Sequence, residues 1–469
     1  MDWCFLILGS VCFVEIFIRL QAIAHIKRLN DIVSRIIRVI RSANISDHWK
    51  EKILPQYALQ LFKQSLLIFG ALIASFGVFP ISGAISYLLG NDFLALSTST
   101  TGLAVSTCTA LLYAVVRARS SQNTGGYTAA SKALHHIALG APFIGDALFD
   151  IEKSVYASKT TDITNENHVF VCGLARAGTT ILMRRLHESG RFVSLTYRDM
   201  PFVLAPNLWR KMRGGSAAKM KSQERAHGDG LMVDYDSPEA LEEVFWKNAS
   251  GDAYIQASSL VPMAAADEVI EDFRQYIALI LHESGISRYL SKNNNNMVRL
   301  PAVARAFPNA VILVPFRRPE HQAFSLLKQH QRFMQMHQDD PFSRKYMTWL
   351  VHHEFGTDHR PFQFGEQKQR YTDTDSPDYW LEVWLNTYSY VIDNPVDQSR
   401  LVCYEALCED SEQVWDSLTQ VVNLPANSDN LKFSGSYHTI DYLFDADLLN
   451  RAHALYDRMR EQSVGYRNY

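Results

Sequence analysis

The turn after one apolar segment combines glycines and a helix start in a way suited to binding an anion. Residues 169–180 read VFVCGLARAGTT, and an amphipathic pattern typical of a helix follows. This pattern predicts a buried strand, a turn bounded by Gly173 and Gly178, and the first turn of a helix. Backbone N–H groups at such a helix start carry partial positive charge, so they bind phosphate or sulfate groups. Glycines at both ends would let the backbone approach the anion closely.

The side chains of this turn distinguish it from the loop that binds nucleoside triphosphates. That loop reads G-x-x-x-x-G-K-[ST], and its lysine reaches the β- and γ-phosphates. Here Thr179 occupies the lysine position, Thr180 follows it, and the cation is Arg176 within the turn. A kinase built on an altered loop is one hypothesis, and it predicts dependence on Mg²⁺. An ordinary strand-to-helix turn without a ligand is the alternative.

A second charged turn follows a β-branched segment later in the chain. Residues 311–325 read VILVPFRRPEHQAFS, which predicts a strand that ends near Arg317 and a helix that follows. Ser325 lies about two helical turns further on, so its hydroxyl is expected to face back toward Arg317. Ligands of open α/β sheets collect at the carboxyl ends of the strands, so both turns are expected to share one crevice. A guanidinium and a hydroxyl can hold a phosphate there, and a charged helix start without a ligand is the alternative.

Together the two turns resemble the nucleotide-binding segments of sulfotransferases that use 3′-phosphoadenosine 5′-phosphosulfate. The 5′-phosphosulfate loop of that family has a basic residue, then Ser or Gly, then Gly-Thr-Thr, and Ala177 departs from the usual Ser. The 3′-phosphate segment usually reads Arg-Asp-Pro and then reaches a Ser, and Arg318 departs from the Asp. The resemblance implies that this nucleotide is bound by Arg176, Ala177, Gly178, Thr179, Thr180, Arg317, Ser325 and Tyr404.

Two further segments extend the resemblance toward the C-terminus. Residues 289–293, YLSKN, resemble the family's Lys-x-Pro strand, although Asn294 stands where Pro is usual. Residues 401–407, LVCYEAL, resemble the late Tyr-Glu-x-Leu segment, in which the Tyr lies near the adenine. These matches imply a catalytic role for Lys292 and an adenine contact for Tyr404.

The reaction that the resemblance implies is in-line transfer of a sulfuryl group to a hydroxyl or amine of an acceptor, without a metal. Negative charge builds on the leaving phosphate, where Arg176 and Lys292 are the cations expected to stabilise it. A general base must lie within hydrogen-bonding reach of the acceptor. The candidates are Asp199, which follows a candidate strand, and His227, which lies in a polar Gly-containing loop. An ion pair with Arg198 and a merely solvated side chain are the respective alternatives.

From residue 168 onward, short apolar segments alternate with helical patterns, which indicates an α/β fold with a parallel sheet flanked by helices. The sulfotransferase domain is expected to span 168–469, after a connector over 120–167. The Asn293–Asn296 run is expected to form a polar loop. The candidate strands are Val169–Cys172, Phe192–Leu195, Tyr289–Lys292, Ala310–Pro315 and Leu401–Tyr404.

The segment 1–119 differs in kind and is expected to be an α-helical transmembrane region. Residues 65–91 and 93–116 contain no charged side chain, and each is long enough for a span, which takes about 20 residues. The segment 3–20 is a third, weaker candidate because charged residues interrupt it. Basic residues flank these segments on the side that favours the cytoplasm. The sequence therefore predicts a multi-pass membrane protein with a cytoplasmic catalytic domain, and a buried helical hairpin is the alternative.

Composition narrows the set of partners. The 469 residues carry a net charge of −3, so nothing global indicates nucleic-acid binding. The six cysteines form no C-x-x-C pair, which fits a reducing compartment and argues against a zinc site. The His-containing segment 352–359 has no convincing ligand spacing, so no metal is expected. The expected partners are a lipid bilayer and an acceptor that is a glycolipid, another lipid or a polysaccharide, with a catalytically inactive membrane scaffold as a rival interpretation.

Overall fold

The computed structural model divides the chain into two compact units, Met1–Ala133 and Leu134–Tyr469. Residues 134–167, which the sequence assigned to a connector, belong to the second unit. The structure describes all of the chain except residues 1, 42–46, 89–92, 100, 104, 107–108, 111–112, 114–128, 141, 214–222, 225–231, 234–236, 366–368, 426–432, 434, 436–438 and 467–469.

The first unit is helical over its described residues. Its helices are α1 (Asp2–Arg19), α2 (Ala22–Arg41), α3 (Asp47–Phe76), α4 (Val78–Leu88) and α5 (Phe93–Thr98). Large apolar side chains along α3 are exposed, among them Leu59, Phe62 and Phe69. An exposed apolar helix face is typical of a surface that is covered by lipid or by another protein.

Among the described residues, the stretch Leu54–Tyr87 is long and apolar enough to cross a bilayer. Phe5–Arg19 and Ala24–Asn30 meet the same test only as a pair of helices bent by 45°. The described helices therefore offer one span, or two if the bent pair counts as one. A helix of this kind also occurs in the cores of soluble proteins, so it indicates a membrane region only weakly. A multi-pass arrangement is not supported for the predicted spans 3–20, 65–91 and 93–116, the last of which is described only in part.

A parallel sheet lies at the centre of the second unit. The strands are β1 (Val169–Val171), β2 (Gln223–Glu224), β3 (Met232–Val233), β4 (Leu290–Lys292), β5 (Val311–Phe316) and β6 (Ser399–Cys403). Four of them form the parallel sheet in the order β4-β1-β5-β6, and β2 and β3 form a separate antiparallel pair. Val169 on the central strand β1 pairs with both Leu290 and Val311.

The observed sheet confirms the predicted α/β class and four of the predicted strands, with ends shifted by one or two residues. The exception is Phe192–Leu195, which does not form a strand. Only Val193 pairs there, in an isolated parallel bridge to Tyr289. A single bridge leaves most of this segment outside the sheet, although Phe192 and Leu195 are buried like strand residues.

Helices cover both faces of the sheet, as the alternation along β1 requires. Val169 and Val171 pack in one apolar cluster with Leu182, and Phe170 and Cys172 pack in the other. The helices of this region are α6 (Ala129–Gly140), α7 (Pro142–Tyr156), α8 (Thr179–His187), α9 (Pro206–Arg213), α10 (Glu243–Tyr254), α11 (Asp267–Leu281), α12 (Leu300–Ala306), α13 (Pro319–Asp339), α14 (Pro341–Trp349), α15 (Pro377–Asp393), α16 (Tyr404–Glu409), α17 (Ser411–Val421) and α18 (Ala446–Glu461).

The strand order creates a crevice between β1 and β5. After β1 the chain adds β4 on one side of it and then returns to add β5 on the other side. The connections that leave β1 and β5 therefore diverge at the carboxyl edge of the sheet, which is where open α/β sheets bind ligands. The two charged turns singled out in the sequence are the turns that follow these two strands.

Candidate active site

Two residues of the turn after β1 have a positive φ. The φ of Arg176 is 70° and that of Gly178 is 87°, directly before α8 begins at Thr179. A positive φ is uncommon for a long side chain such as arginine and is found at functional sites more often than elsewhere. The first N–H groups of a helix have no partner within the helix, so the start of α8 is suited to binding an anion.

Close contacts explain the two glycines of this turn. A Cβ atom on Gly173 would lie 2.9 Å from the backbone oxygen of Pro315 on β5. A Cβ atom on Gly178 would lie 2.8 Å from the ring of Tyr404, which begins α16 after β6. The turn after β1 thus lies close to the end of β5 and to the residue that follows β6. The sequence predicted the need for glycine here but not which neighbours impose it.

The next residues of the turn are buried. Ala177, Thr179 and Thr180 are at most 9% exposed, so the two hydroxyls lie inside the first turn of α8 rather than in bulk solvent. A hydroxyl both donates and accepts hydrogen bonds, so these two side chains are of a type that can donate to an anion at the start of α8.

Arg176 and Ser325 meet across the crevice. The Nε of Arg176 donates a hydrogen bond to Oγ of Ser325 at 3.0 Å. Ser325 is buried on α13, the helix that follows β5. The contact brings the cation of the first turn to the hydroxyl that the sequence assigned to the second turn.

Arg317 lies on the other side of the same crevice. Its guanidinium carbon lies 4.9 Å from the centroid of the Tyr404 ring, and its side chain is buried. Because that ring also contacts Gly178, Tyr404 lies between Arg317 and the turn after β1. The structure therefore brings together the arginines of the two charged turns, the hydroxyl of Ser325 and the tyrosine predicted to contact the adenine.

A buried glutamine that the sequence did not reveal joins the two turns. Gln322 on α13 accepts hydrogen bonds at Oε1 from the backbone N–H of Arg317, at 3.2 Å, and from Nε1 of Trp384, at 3.0 Å. Its Nε2 donates to the backbone oxygens of Leu174, at 3.2 Å, and Ala175, at 2.9 Å. One amide side chain thus holds the end of β5 and the turn after β1 at a defined separation. No motif marks this position, since glutamine is common in helices.

A carboxylate holds the turn after β5 against β6. The backbone N–H of Arg318 donates to Oε1 of Glu405 at 3.0 Å, and the hydroxyl of Tyr456 donates to Oε2 at 3.0 Å. Arg318 is the position at which the family resemblance has Asp. Because this hydrogen bond comes from the backbone of residue 318, it can hold the turn whichever side chain that residue carries.

Lys292 ends β4 on the far side of β1. Its side chain is buried, and the following residue, Asn293, donates its backbone N–H to the oxygen of Val171 at 2.9 Å. Burial opposes ionisation of the nearby Glu354 carboxyl, but His352, Lys292 and hydrogen bonds together hold its pKa well below the ordinary value. Lys292 thus lies in a region where a negative charge is already stabilised.

Of the two candidate bases, Asp199 is in structural contacts. Its Oδ2 accepts hydrogen bonds from the backbone N–H of Thr196, at 2.9 Å, and from the Thr196 hydroxyl, at 3.2 Å, in a capping box. Its Oδ1 lies 3.7 Å from Nε of Arg210 rather than beside Arg198. His227 lies outside the described residues.

A buried polar network lies beneath the end of β4. The asparagine run is a buried 3₁₀ turn over Asn294–Val298 and not the polar loop that the sequence predicted. Asn293 donates to Glu243 at 2.7 Å, and Arg299, which is fully buried, donates to the same carboxylate at 2.8 Å. Burial raises the pKa of the neighbouring Glu242 carboxyl, which accepts from Asn296 at 2.9 Å. Asparagines are buried here because carboxylates give them partners.

The histidine-containing segment 352–359 is hydrogen-bonded within the chain. Nδ1 of His353 contacts the oxygen of Asp358 at 2.8 Å, and Nε2 contacts Arg360 at 2.6 Å. Over the described part of the chain, no three His, Cys, Asp or Glu side chains come together as metal ligands.

Known proteins similar to this chain include one family and two solved structures. The sequence model of a family described as "Sulfotransferase family" matches residues 168–428. Among solved structures, the chain is similar to sulfotransferase STF9 from Mycobacterium avium, at 14% identity and a TM-score of 0.37, over 76% of this chain and 97% of that one. It is also similar to sulfotransferase STF1 from Mycobacterium tuberculosis H37Rv, at 13% identity and a TM-score of 0.35, over 76% of this chain and 91% of that one. No curated protein matches it.

Proposed function

The chain belongs to the sulfotransferase family, because the family match covers more than half of its residues, and we propose that it transfers a sulfuryl group from 3′-phosphoadenosine 5′-phosphosulfate to a hydroxyl or amine of an acceptor. One observation carries the proposal of this donor. The cation-bearing turns after β1 and β5 meet in one crevice, with Arg176 bonded to Ser325. A nucleotide with anionic groups at both its 5′ and 3′ positions needs two such sites close together.

The residues present fit the two ends of this nucleotide. Arg317 and Ser325 would hold the 3′-phosphate, because a guanidinium and a hydroxyl are strong donors to phosphate oxygens. The backbone N–H groups from Gly178 to Thr180 would hold the 5′-phosphosulfate at the start of α8. Tyr404 would contact the adenine, as the family resemblance implies. On binding, Arg176 would exchange its hydrogen bond with Ser325 for one with the nucleotide.

The chemistry follows from where charge develops. As the acceptor oxygen or nitrogen bonds to sulfur, the bond from sulfur to the bridging oxygen breaks, and that oxygen gains negative charge. Fixed cations and N–H groups near this oxygen lower the barrier, because they need no reorganisation during the reaction. We assign this role to Arg176 and Lys292. No metal is part of the proposal, since sulfate carries less charge to neutralise than phosphate does.

Asp199 and His227 are the two candidates for the general base. The hydrogen bonds from Thr196 and the nearby Arg210 favour a structural role for Asp199, because they already use both of its oxygens. His227 is then the stronger candidate for accepting the proton of the acceptor. Substituting Asp199 and His227 separately distinguishes the two candidates. The kcat/KM of the unaltered enzyme should rise with pH as the general base loses its proton, and this rise should disappear in the variant that lacks the base.

We place the reaction at the cytoplasmic face of a membrane, with an acceptor that is a glycolipid, another lipid or a polysaccharide. The support for this placement is the helix Leu54–Tyr87, which is apolar and of spanning length. Basic residues next to it in sequence favour the cytoplasmic side.

Thermal unfolding of the full-length protein tests the proposed donor. We expect adenosine 3′,5′-bisphosphate to raise the melting temperature, because a ligand that binds the native state stabilises it. Arg317→Ala and Arg176→Ala are expected to abolish most of that rise. Arg176→Gly is a second variant at the same site, since glycine accepts the positive φ and so separates loss of charge from backbone strain. Arg458→Ala, at an exposed position outside the crevice, is the matched control.

The same titration decides between the proposal and its rivals. A rise with ATP and Mg²⁺ alone would support a kinase. The absence of any response to either nucleotide would support an inactive scaffold. A response to the bisphosphate that neither arginine variant reduces would contradict the assignment of the crevice, even within this family.

A further inference from the structure

A large cleft opens on a different side of α13 and α15 from the nucleotide crevice. Its volume is about 1090 Å³, which is slightly above the range of roughly 300–1,000 Å³ for small-molecule sites. On α13, Gln322 and Ser325 face the crevice, whereas His330 and Met334 line the cleft. Residues five or more positions apart on one helix can occupy different faces in this way. The cleft is therefore separate from the residues assigned to the donor.

Aromatic side chains line the cleft, among them Phe364, Tyr379 and Tyr390. Phe364 and Tyr390 stack with their ring centroids 4.0 Å apart and their planes within 10°. Tyr379 lies nearby, and its hydroxyl is 2.8 Å from Nε2 of His359. An aromatic face is electron-rich, so it attracts the polarised C–H groups of a ring that lies flat against it.

Polar side chains without partners in the chain line the same cleft. Within the described residues, the side chains of Asn386 and Ser389 make no hydrogen bond, although both face the cleft on α15. The side chains of Gln363 and Thr372, which also line the cleft, likewise make no hydrogen bond to a described residue. Amides and hydroxyls both donate and accept hydrogen bonds. Such side chains suit a ligand whose own groups also donate and accept hydrogen bonds, such as a ligand with several hydroxyls.

The described side chains that line the cleft carry no net charge at neutral pH. Of the described residues that line the cleft, Asp393 and Arg451 carry charges of opposite sign, and Arg451 also pairs with Asp447 at 3.8 Å. Burial lowers the pKa of His330 and also that of His359, the latter to about 4, so both are neutral at physiological pH. A polyanion would find no excess of cations here, in contrast to a phosphate-binding site. A lipid chain would leave the polar side chains unsatisfied.

We propose that this cleft binds a neutral oligosaccharide. Sugar rings combine an apolar C–H face, which fits against Phe364 and Tyr390, with hydroxyls, which fit the side chains of Asn386 and Ser389. The inference does not depend on sulfuryl transfer, because it rests on the lining alone. If the transfer occurs, the cleft gives the enzyme a second contact with a carbohydrate chain, away from the transferred group.

Direct binding tests the proposal with the full-length protein in lipid nanodiscs. Alkyl maltosides must be avoided, because their sugar headgroups would compete for the cleft. The probes are cellohexaose, maltohexaose and the fully N-acetylated chitohexaose as neutral chains, and hexagalacturonate as a charged chain of the same length. We expect at least one neutral chain to bind and the charged chain to bind more weakly.

Variants locate the binding in the cleft. The double substitution Asn386→Ala with Ser389→Ala should weaken it about tenfold, as expected for two lost hydrogen bonds. It should leave the fold intact, since neither side chain has a partner to lose. Tyr390→Ala should weaken binding similarly, and Gln335→Ala, at an exposed position on α13, should not.

The outcomes separate this proposal from the proposed donor. In the double variant, the rise in melting temperature with adenosine 3′,5′-bisphosphate should be unchanged. Failure of all three neutral chains to bind would overturn the inference. So would equal or tighter binding of hexagalacturonate, or binding of a neutral chain that the double variant leaves unaltered. None of these results tests the binding of adenosine 3′,5′-bisphosphate. Conversely, a protein that does not bind the bisphosphate can still bind the neutral chain.

Discussion

Gln322 provides the sharpest test of how the crevice is built. Its buried amide accepts from Arg317 and Trp384 and donates to the carbonyls of Leu174 and Ala175. Every one of these groups lies in or beside the two turns assigned to the nucleotide. We therefore expect that removing the amide both weakens nucleotide binding and destabilises the fold.

Gln322→Leu keeps the approximate volume of the side chain but removes all of its hydrogen bonds. The Trp384 indole keeps a second acceptor, the oxygen of Arg317 at 3.2 Å, so it contributes little to the loss. The backbone N–H of Arg317 loses this acceptor, and the carbonyls of Leu174 and Ala175 lose this donor. A buried polar group deprived of a partner costs about 1–3 kcal/mol, so the three together cost about 6 kcal/mol. For a unit of this size, that lowers the melting temperature by about 8 °C.

The assay is thermal unfolding of the full-length protein with and without adenosine 3′,5′-bisphosphate. Gln322→Leu should melt earlier and should also show a smaller rise with the ligand, because the two turns are no longer held at one separation. Gln335→Leu is the matched control, since it makes the same substitution at an exposed position of the same helix. If the two variants melted alike, or if Gln322→Leu bound the bisphosphate as well as the unaltered protein does, Gln322 would not hold the site together.

Two further predictions concern the turn after β1 and the strand that leads into it. In Gly178→Ala, the new Cβ lies 2.8 Å from the Tyr404 ring, so we expect the affinity for the bisphosphate to fall at least about tenfold. The positive φ of 87° at this position should also lower the stability of the fold by about 1–2 kcal/mol. Gly190→Ala has the same strain, at a φ of 67°, with nothing within 4 Å, so it should retain affinity; equal losses in the two variants would contradict the contact argument. His168 is fully buried, and burial lowers its pKa to about 4, while its Nδ1 accepts from the N–H of Tyr289 at 2.9 Å. Because the folded protein keeps this histidine neutral below its unfolded pKa near 6.5, its stabilising contribution is present at neutral pH and is lost as the pH falls from about 6.5 to 4, by about 3 kcal/mol. The melting temperature should therefore fall less between about pH 6.5 and pH 4 in His168→Asn than in the unaltered protein. An equal fall in the two proteins would show that His168 does not control acid stability.

Much of the second unit could be predicted from local pattern. Strands β1, β4, β5 and β6 are short apolar segments next to charged turns, and burial on both faces makes such segments recognisable in sequence. The strands depend on residues close in the chain, which is why their prediction succeeded. The glycines of residues 173–180 stand out in the sequence as well, but the neighbours that require them, Pro315 and Tyr404, are distant in the chain.

Features that depend on distant partners were missed or misread. The segment Phe192–Leu195 has strand composition, but only Val193 finds a partner. The asparagines after Lys292 suggested a solvated loop, yet they are buried because Glu242 and Glu243 accept their hydrogen bonds. Hydropathy predicted three membrane spans, whereas the helices that form leave one stretch of spanning length, or two with the bent pair, among the described residues.

The amino-acid sequence alone determined the α/β class, the two charged turns and the residue types that can hold an anion, because these follow from interactions within a few residues. Only the tertiary structure decided that Arg176 reaches Ser325, that Arg317 lies on Tyr404, and that Gln322 joins the two turns. Those contacts connect residues far apart in the chain. Their geometry is set by strand order and by packing of helices on the sheet, and no local pattern encodes either.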